Sequence, residues 1–202
     1  MTQIRRTLNR FEGLNHVRYL TCSCFRRLPL FSNDAIKDTF VEHLSFVQRV
    51  MGFDLYAWVI MPEHFHLLLR PALRTARTQH PDGMLCGTRP CRDLPESQQT
   101  VTQILRRVKS SFGKQVITRW RELDAPILSR VTDAQGTQRF WQTGGGYDRN
   151  IFSEEELFEK IQYVHANPVR RGLVQCATEY RWSSARHHEG EPYDRPVIVP
   201  IS

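Results

Sequence analysis

The sequence contains no long apolar run, and this absence limits what the protein can be. Its longest hydrophobic stretch is far shorter than the ~18 residues that a membrane-spanning helix requires. The first residues, MTQIRRTLNRFEG, include arginines but no apolar segment like that of a secretory signal peptide. Hydrophobic residues make up 40% and charged residues 24% of the 202 positions, which fits a globular protein rather than a disordered chain or a fibre. We therefore expect a soluble, cytoplasmic protein with a single domain over residues 1–202.

Cysteine is scarce and irregularly spaced. The five cysteines are an odd number without the dense spacing of a secreted disulfide framework, so reduced thiols are expected. Cys22 and Cys24 alternate along a predicted strand, and Cys86 and Cys91 lie in a predicted loop. These four residues could bind zinc, although CxC combined with CxxxxC is not a usual ligand spacing. The zinc site stays open as an alternative to free thiols.

Lysine is rare although the protein is basic. The 28 Lys and Arg residues include only Lys37, Lys109, Lys114 and Lys160, so 24 are arginines, and the formal net charge is +7. Planar guanidinium groups bind phosphate bidentately, so an arginine-rich basic protein is a candidate for nucleic-acid binding. A GC-rich genome would produce the same bias through its codons, so charge alone does not decide the function.

The spacing of apolar residues predicts alternating strands and helices. In chain order the predicted elements are a strand at 16–24, a helix at 32–50, strands at 55–61 and 65–70, a helix at about 98–120, a strand within 140–152 and a helix at 153–168. Residues 71–97 and 123–138 are predicted to be long loops, and a basic irregular tail is predicted from about 169. The β-α-β-β-α-β-α order indicates an α+β fold with an antiparallel sheet and helices on one face.

Two histidines, His64 and His66, lie two positions apart in the segment PEHFHLLLR. Residues i and i+2 of a strand point to the same side, so both imidazoles face one way. Two imidazoles on one strand face can bind a single divalent metal. Such a pair also arises by chance as two ordinary surface or half-buried histidines. Apolar flanks at 58–60 and 67–69 place this pair on rigid strands, which favours a functional site.

The predicted helix at 153–168 carries a tyrosine away from its apolar side. Helical geometry gives an apolar stripe of Leu157, Phe158, Ile161 and Val164. Tyr163 projects roughly 150° from the centre of that stripe, which argues against the usual role of a helical tyrosine in the core. Asn167 lies one turn later on nearly the same side. Pro168 disfavours a helical backbone at Asn167, so we expect the helix to end there with the amide turned inward.

In this order the motifs resemble those of the single-tyrosine HUH transposases, and in particular the REP-associated tyrosine transposases. The resemblance rests on HFH after WVIMPE, the tyrosine in IQYVHANPVRRGLV and VKSSFGK between them, and it extends from HVRYLTCSC to WSSARHH. It implies a ferredoxin- or RRM-like HUH endonuclease domain that binds hairpin and single-stranded DNA. It also implies that one strand is cut and rejoined through a 5′-phosphotyrosine with a divalent metal, Mg²⁺ or Mn²⁺.

The resemblance also assigns roles to residues of this chain. His64 and His66 would bind the metal, Tyr163 would be the nucleophile, and Asn167 would complete the metal site where many relatives carry the longer Gln. Candidates for DNA phosphate contacts are Arg106, Arg107, Lys109, Lys114, Arg170 and Arg171. Relatives work as dimers or as monomers, and for this chain we expect a monomer with no membrane partner.

Two other functions explain part of the pattern. A non-catalytic single-stranded nucleic-acid-binding protein on the same fold would account for the charge and the aromatic residues, but it gives His64, His66 and Tyr163 no role. A metallohydrolase with water as its nucleophile would account for the histidines. The hydrolase would keep its activity after Tyr163→Phe, whereas the strand transferase would lose it.

Overall fold

A computed structural model describes residues 16–72, 99–144 and 146–191. Within these ranges the elements are β1 (Val17–Ser23), α1 (Asp34–Met51), β2 (Phe53–Met61), β3 (His64–Pro71), α2 (Val101–Glu122), α3 (Ile127–Val131), β4 (Tyr147–Ile151), α4 (Glu154–Arg170) and α5 (Ala185–His188). This confirms the predicted α+β class. Most of the predicted loop at 71–97, with Cys86 and Cys91, lies outside the described residues. No helix in the described ranges is long and apolar enough to cross a membrane.

The strands form one antiparallel sheet in the order β2-β3-β1-β4. The histidine pair therefore lies on an inner strand, as its apolar flanks predicted. On the neighbouring strand β1, Thr21 is opposite His66 and Ser23 is opposite His64. Because alternate strand residues face opposite sides, Tyr19, Thr21 and Ser23 share the face of the histidines, and Leu20 and Cys22 face the other way.

One face of the sheet packs against α1 and α2. Their buried side chains include Phe40, Leu44, Val47, Ile104, Leu105, Val108, Phe112 and Val116. These side chains pack on Leu20, Trp58, Phe65 and Leu67 from the sheet. Burying this apolar surface supplies the main hydrophobic core of the domain.

The other face packs against α4, so the prediction of helices on one face was wrong. Leu157, Ile161 and Val164 of α4 contact a second buried cluster that includes Val59 and Met61. The sequence of β2, FDLYAWVIM, is apolar on nearly every residue instead of alternating, and eight of its nine residues are buried. A continuous apolar run is typical of a strand that is covered on both faces.

The apolar stripe of α4 is narrower than predicted. Phe158 is 49% exposed, whereas Leu157 and Ile161 are buried, so the inclusion of Phe158 in the buried stripe was wrong. Because the sheet beneath α4 is already apolar, the helix packs on it through only those side chains that point directly at the sheet.

The strand predicted within 140–152 begins at Tyr147, and Trp141 makes only an isolated bridge with Cys24. The predicted loop at 123–138 contains the short helix α3.

The segment after α4 is more ordered than the irregular tail predicted from about 169. Its backbone pairs with the outer edge of β2, where Ser183 forms a bridge with Val59. Trp182 covers this contact, and the Lys37 ammonium lies 3.3 Å from the centroid of the Trp182 ring. An unpaired strand edge exposes hydrogen-bonding groups, so this pairing protects β2.

Candidate active site

His64 and His66 point from β3 into a cavity beneath α4. Their Nε2 atoms lie 3.0 Å apart, and their ring centroids lie 4.7 Å apart. Two nitrogens at this separation can both reach one divalent ion at about 2.1 Å, a normal metal–imidazole distance. The alternation of β3 therefore brings the two ligating atoms to one point, as the HxH spacing predicted.

The other ring nitrogens of both histidines are held by neighbouring side chains. The Nδ1 atom of His66 lies 2.9 Å from the Tyr19 hydroxyl and 2.8 Å from the Thr21 hydroxyl, both on β1. The Nδ1 atom of His64 lies 3.3 Å from a carboxylate oxygen of Glu63. Contacts of this kind fix the orientation of an imidazole and direct Nε2 towards a metal.

Burial keeps both imidazoles neutral. Burial, with a smaller contribution from the nearby His64, lowers the pKa of His66 to about 3. Burial also lowers the pKa of His64, although the Glu63 carboxylate acts in the opposite direction. A neutral imidazole is the form that binds a metal, so the pair is ready for a cation at neutral pH.

Tyr163 extends from α4 over the same cavity. Its ring meets the rings of Tyr19 and His66 edge to face, with centroid distances of 6.1 and 6.2 Å. It is 38% exposed, in keeping with its predicted position off the apolar stripe. Two cations flank the ring, with the Arg170 guanidinium at 5.1 Å and the Lys160 ammonium at 5.7 Å from its centroid.

The helix α4 holds Tyr163 in this position through its cap and its buried stripe. The Ser153 hydroxyl accepts a hydrogen bond from the Glu156 backbone amide. Three glutamates in the first turn, at 154–156, interact favourably with the positive end of the helix dipole. The cap fixes where the helix starts, and this start sets the rotation that turns Tyr163 towards β3.

Asn167 lies one turn after Tyr163, but the prediction that α4 ends there was wrong. The helix continues through Pro168 to Arg170. Proline cannot donate the hydrogen bond that its position in a helix requires. The Asn167 amide nitrogen instead donates to the carbonyl oxygens of Tyr163, at 2.7 Å, and Val164, at 3.4 Å. Because Nδ2 is engaged in this way, any metal ligation by Asn167 would use Oδ1.

The cavity has a volume of about 390 Å³ and is lined by six of the residues that the sequence singled out, namely His64, His66, Tyr163, Asn167, Arg170 and Arg171. Thr21, Ser23, Arg27 and Glu63 also line it, and sequence analysis missed them. Glu63 could have been found because it directly precedes the HxH motif. The Arg171 guanidinium lies 2.8 Å from Glu63, so this predicted phosphate contact is paired with a carboxylate.

The remaining predicted DNA contacts, Arg106, Arg107, Lys109 and Lys114, lie on α2 and do not line this cavity. The helix α2 packs on the opposite face of the sheet. Lys109 and Lys114 line a second cavity, of about 380 Å³, together with Trp141. Sequence analysis therefore grouped together basic residues that belong to two separate surfaces.

The donors present suit a divalent metal if Asn167 takes part. Across the described ranges, no cluster of three or more His, Cys, Asp or Glu residues could hold a metal ion. Two imidazole nitrogens and one amide oxygen form a neutral set that can bind a divalent ion, and the nitrogen ligands favour Mn²⁺ over Mg²⁺ in affinity. Cys22 and Cys24 are buried, and the other cysteines of the zinc alternative lie outside the described residues.

Comparison with known proteins supports the resemblance seen in the sequence. The REP-associated tyrosine transposase of Escherichia coli is 22% identical over 138 residues, which cover 68% of this chain and 58% of that protein. A putative REP-associated tyrosine transposase of Haemophilus influenzae is 21% identical over 132 residues, which cover 65% of this chain and 58% of that protein. The match thus spans less than two thirds of the length of both relatives. No protein-family model matches the chain.

A solved structure has the same fold. It is a REP-associated tyrosine transposase bound to a REP hairpin, with a TM-score of 0.58 and 19% sequence identity, and the match covers 95% of this chain and 87% of that one. The four-stranded antiparallel sheet with its helices is therefore a fold that such a transposase adopts.

Proposed function

This chain is a relative of the REP-associated tyrosine transposases, and from that relationship we propose that it cuts and rejoins one strand of hairpin-forming DNA. The observation that carries the proposal is the convergence of His64, His66, Tyr163 and Asn167 on one cavity lined by arginines. A phenol, a pair of metal-binding nitrogens and cations for a phosphate are the groups that such a reaction needs.

The reaction exchanges one phosphodiester for another. The Tyr163 hydroxyl oxygen attacks the scissile phosphorus, the bond from phosphorus to the 3′ oxygen breaks, and the phenolic proton ends on that oxygen. The products are a 5′-phosphotyrosine and a free 3′ hydroxyl. Because the number and type of phosphoester bonds are conserved, the reverse attack by a 3′ hydroxyl rejoins DNA without a nucleotide cofactor.

His64 and His66, with Oδ1 of Asn167, would hold Mg²⁺ or Mn²⁺. The metal would supply Lewis acidity, which polarises the scissile phosphate. Tyr19 and Thr21 orient His66 through its Nδ1 atom, and Glu63 does the same for His64. These side chains keep the metal-binding nitrogens directed at the cavity.

The cations around the cavity position the DNA strand. Arg170 and Lys160 flank the Tyr163 ring, where they stabilise negative charge on the oxygen and on an approaching phosphate. Arg171 can bind a phosphate once it leaves Glu63, and it is 54% exposed. The basic side chains of α2 lie on the other side of the sheet, where they suit the stem of a hairpin and contact its phosphates without reading its sequence.

The test uses labelled single-stranded hairpin oligonucleotides from the DNA that flanks the gene, with Mn²⁺ or Mg²⁺ or with chelator. The measured quantity is a protein–DNA adduct that survives denaturant. We compare the wild type with Tyr163→Phe, which removes only the nucleophilic oxygen, and with His64→Ala, which removes one metal-binding nitrogen.

An adduct that needs metal and is lost in both variants supports covalent strand transfer. Cleavage that survives Tyr163→Phe refutes the tyrosine mechanism and favours a water-using metallohydrolase. Salt-sensitive binding without cleavage of any hairpin favours the non-catalytic single-stranded nucleic-acid-binding protein.

A further inference from the structure

Tyr147 is an exposed aromatic residue beside the candidate active site, and the proposed strand transfer gives it no role. It is the first residue of β4, on the face of the sheet that carries the histidines, and it is 51% exposed. Across the strand pair it is opposite Thr21, which lines the cavity. Tyr147 therefore lies at the edge of the cavity with much of its side chain in solvent.

A chain of aromatic contacts joins Tyr147 to the candidate nucleophile. Its ring meets the Tyr19 ring edge to face at a centroid distance of 5.8 Å. The Tyr19 ring in turn meets the ring of Tyr163 at 6.1 Å and stacks on that of His66 at 5.4 Å. Tyr19 is buried and fixed by its hydrogen bond to His66, so it supports Tyr147 from one side.

The backbone of Gly146, directly before Tyr147, lies close against β1. Gly146 has a φ of +75°, and a Cβ atom at this residue would lie 2.1 Å from the carbonyl oxygen of Thr21. Only glycine allows this close approach of the two backbones. A glycine is thus required where the chain turns to present Tyr147 at the cavity.

Cationic side chains lie in the cavity on the Tyr147 face of the sheet and in a groove on the opposite face. The Lys109 ammonium donates a hydrogen bond to the Gly144 carbonyl, three residues before Tyr147. Arg106 and Lys109 line a shallow groove together with Gly144 and Trp141. Positive groups therefore lie on both faces of the sheet near β4, with Arg170 in the cavity and the α2 residues in the groove.

We propose that Tyr147 is a stacking platform for a DNA base next to the scissile phosphate, on a strand that passes over β4 from the cavity to the groove at Arg106 and Lys109. This inference rests on the proposed function. Exposed aromatic rings between cationic groups are how proteins bind single strands without sequence readout, because every base has a π face. The cations in the cavity and in the groove favour a polyanionic strand over an apolar partner.

The experiment measures binding without chemistry. A single-stranded DNA of about 12 nucleotides, within the size range of single-strand binding sites, carries one 2-aminopurine, and metal is omitted. Anisotropy gives the affinity, and quenching of 2-aminopurine reports stacking. The variants of the full chain are Tyr147→Ala, Tyr147→Leu and Tyr147→Phe, and the control is Phe46→Ala, which removes a similarly exposed ring from α1.

We expect Tyr147→Ala and Tyr147→Leu to weaken binding by about 5- to 150-fold and to abolish the quenching. Tyr147→Phe keeps the π face and should keep both affinity and quenching. The inference is overturned if the wild type does not bind the strand, if Tyr147→Ala binds as well as Phe46→Ala does, or if Tyr147→Leu binds like the wild type.

Failure of the proposed function gives a different result. If no hairpin gives a covalent adduct while the quenching still depends on the Tyr147 ring, strand transfer is refuted and the stacking platform is supported. An adduct that forms normally in Tyr147→Ala, with unchanged binding, would refute the platform and leave strand transfer standing.

Discussion

His165, on the side of α4 away from the histidine pair, makes the stability of the fold sensitive to acid. Its Nε2 atom lies 2.8 Å from the Ser184 hydroxyl, and its ring centroid lies 4.8 Å from that of His188. Burial, with a smaller contribution from the nearby His188, lowers the pKa of His165 to about 3. The folded protein therefore holds His165 neutral under conditions in which the unfolded chain protonates it.

The direction of the effect follows from the lowered pKa. The contribution of His165 is complete above its ordinary pKa of 6.5 and is lost as the pH falls from there towards about 3. In this window the unfolded chain binds a proton that the folded chain does not bind, which costs about 1.4 kcal/mol of unfolding free energy per pH unit. At pH 5, 1.5 units below the ordinary value, the loss is about 2 kcal/mol.

The substitution His165→Gln removes the titrating group and keeps a side chain that can hydrogen bond to Ser184. Urea denaturation gives the unfolding free energy of both proteins at pH 7.5 and pH 5. We expect the wild type to lose about 2 kcal/mol more than the variant between the two pH values. The control Ser184→Ala removes the partner but leaves His165 buried, so it should retain most of the pH dependence. If wild type and His165→Gln lose the same free energy, burial does not hold His165 neutral.

Three further substitutions test the site. Tyr19→Phe removes the hydroxyl that contacts Nδ1 of His66 and should weaken Mn²⁺ binding by about 10- to 100-fold in calorimetry. An unchanged affinity would contradict the role of Tyr19 in orienting His66. Gly146→Ala places a Cβ atom against the Thr21 carbonyl, so urea denaturation should show a destabilised protein, and wild-type stability would mean that the two backbones can move apart. Asn167→Ala leaves the Val164 carbonyl oxygen, to which Pro168 cannot donate, without its side-chain donor, and it should cost about 1–3 kcal/mol in metal-free urea denaturation, a loss that a role limited to metal binding would not produce.

Features that depend only on the periodicity of a single strand or helix could be predicted from the sequence. Alternation placed His64 and His66 on one face of a strand, and the helical repeat kept Tyr163 off the apolar stripe. Both expectations depend only on the geometry of a single element. The convergence of the two elements on one cavity was expected from the resemblance, because periodicity does not say which face of the sheet a helix covers.

Tertiary contacts account for the features that the sequence analysis misjudged. Pro168 was expected to end α4, but the amide of Asn167 replaces its missing donor, and local propensity does not include this bond. The segment around Ser183 has no strand pattern of its own and becomes ordered by pairing with β2. Arg106 and Arg171 were grouped by charge, yet they lie on elements that pack on opposite faces of the sheet.

The alternation of β1 has a consequence for how this protein can change. Within seven residues, Tyr19, Thr21 and Ser23 face the histidines, while Leu20 and Cys22 lie in the core. Inserting or deleting one residue in this strand would exchange the two sets, placing a hydroxyl in the core and a thiol or an aliphatic chain beside the imidazoles. The candidate site and the core therefore depend on the same seven residues, so changes in β1 are restricted to substitutions that preserve its length.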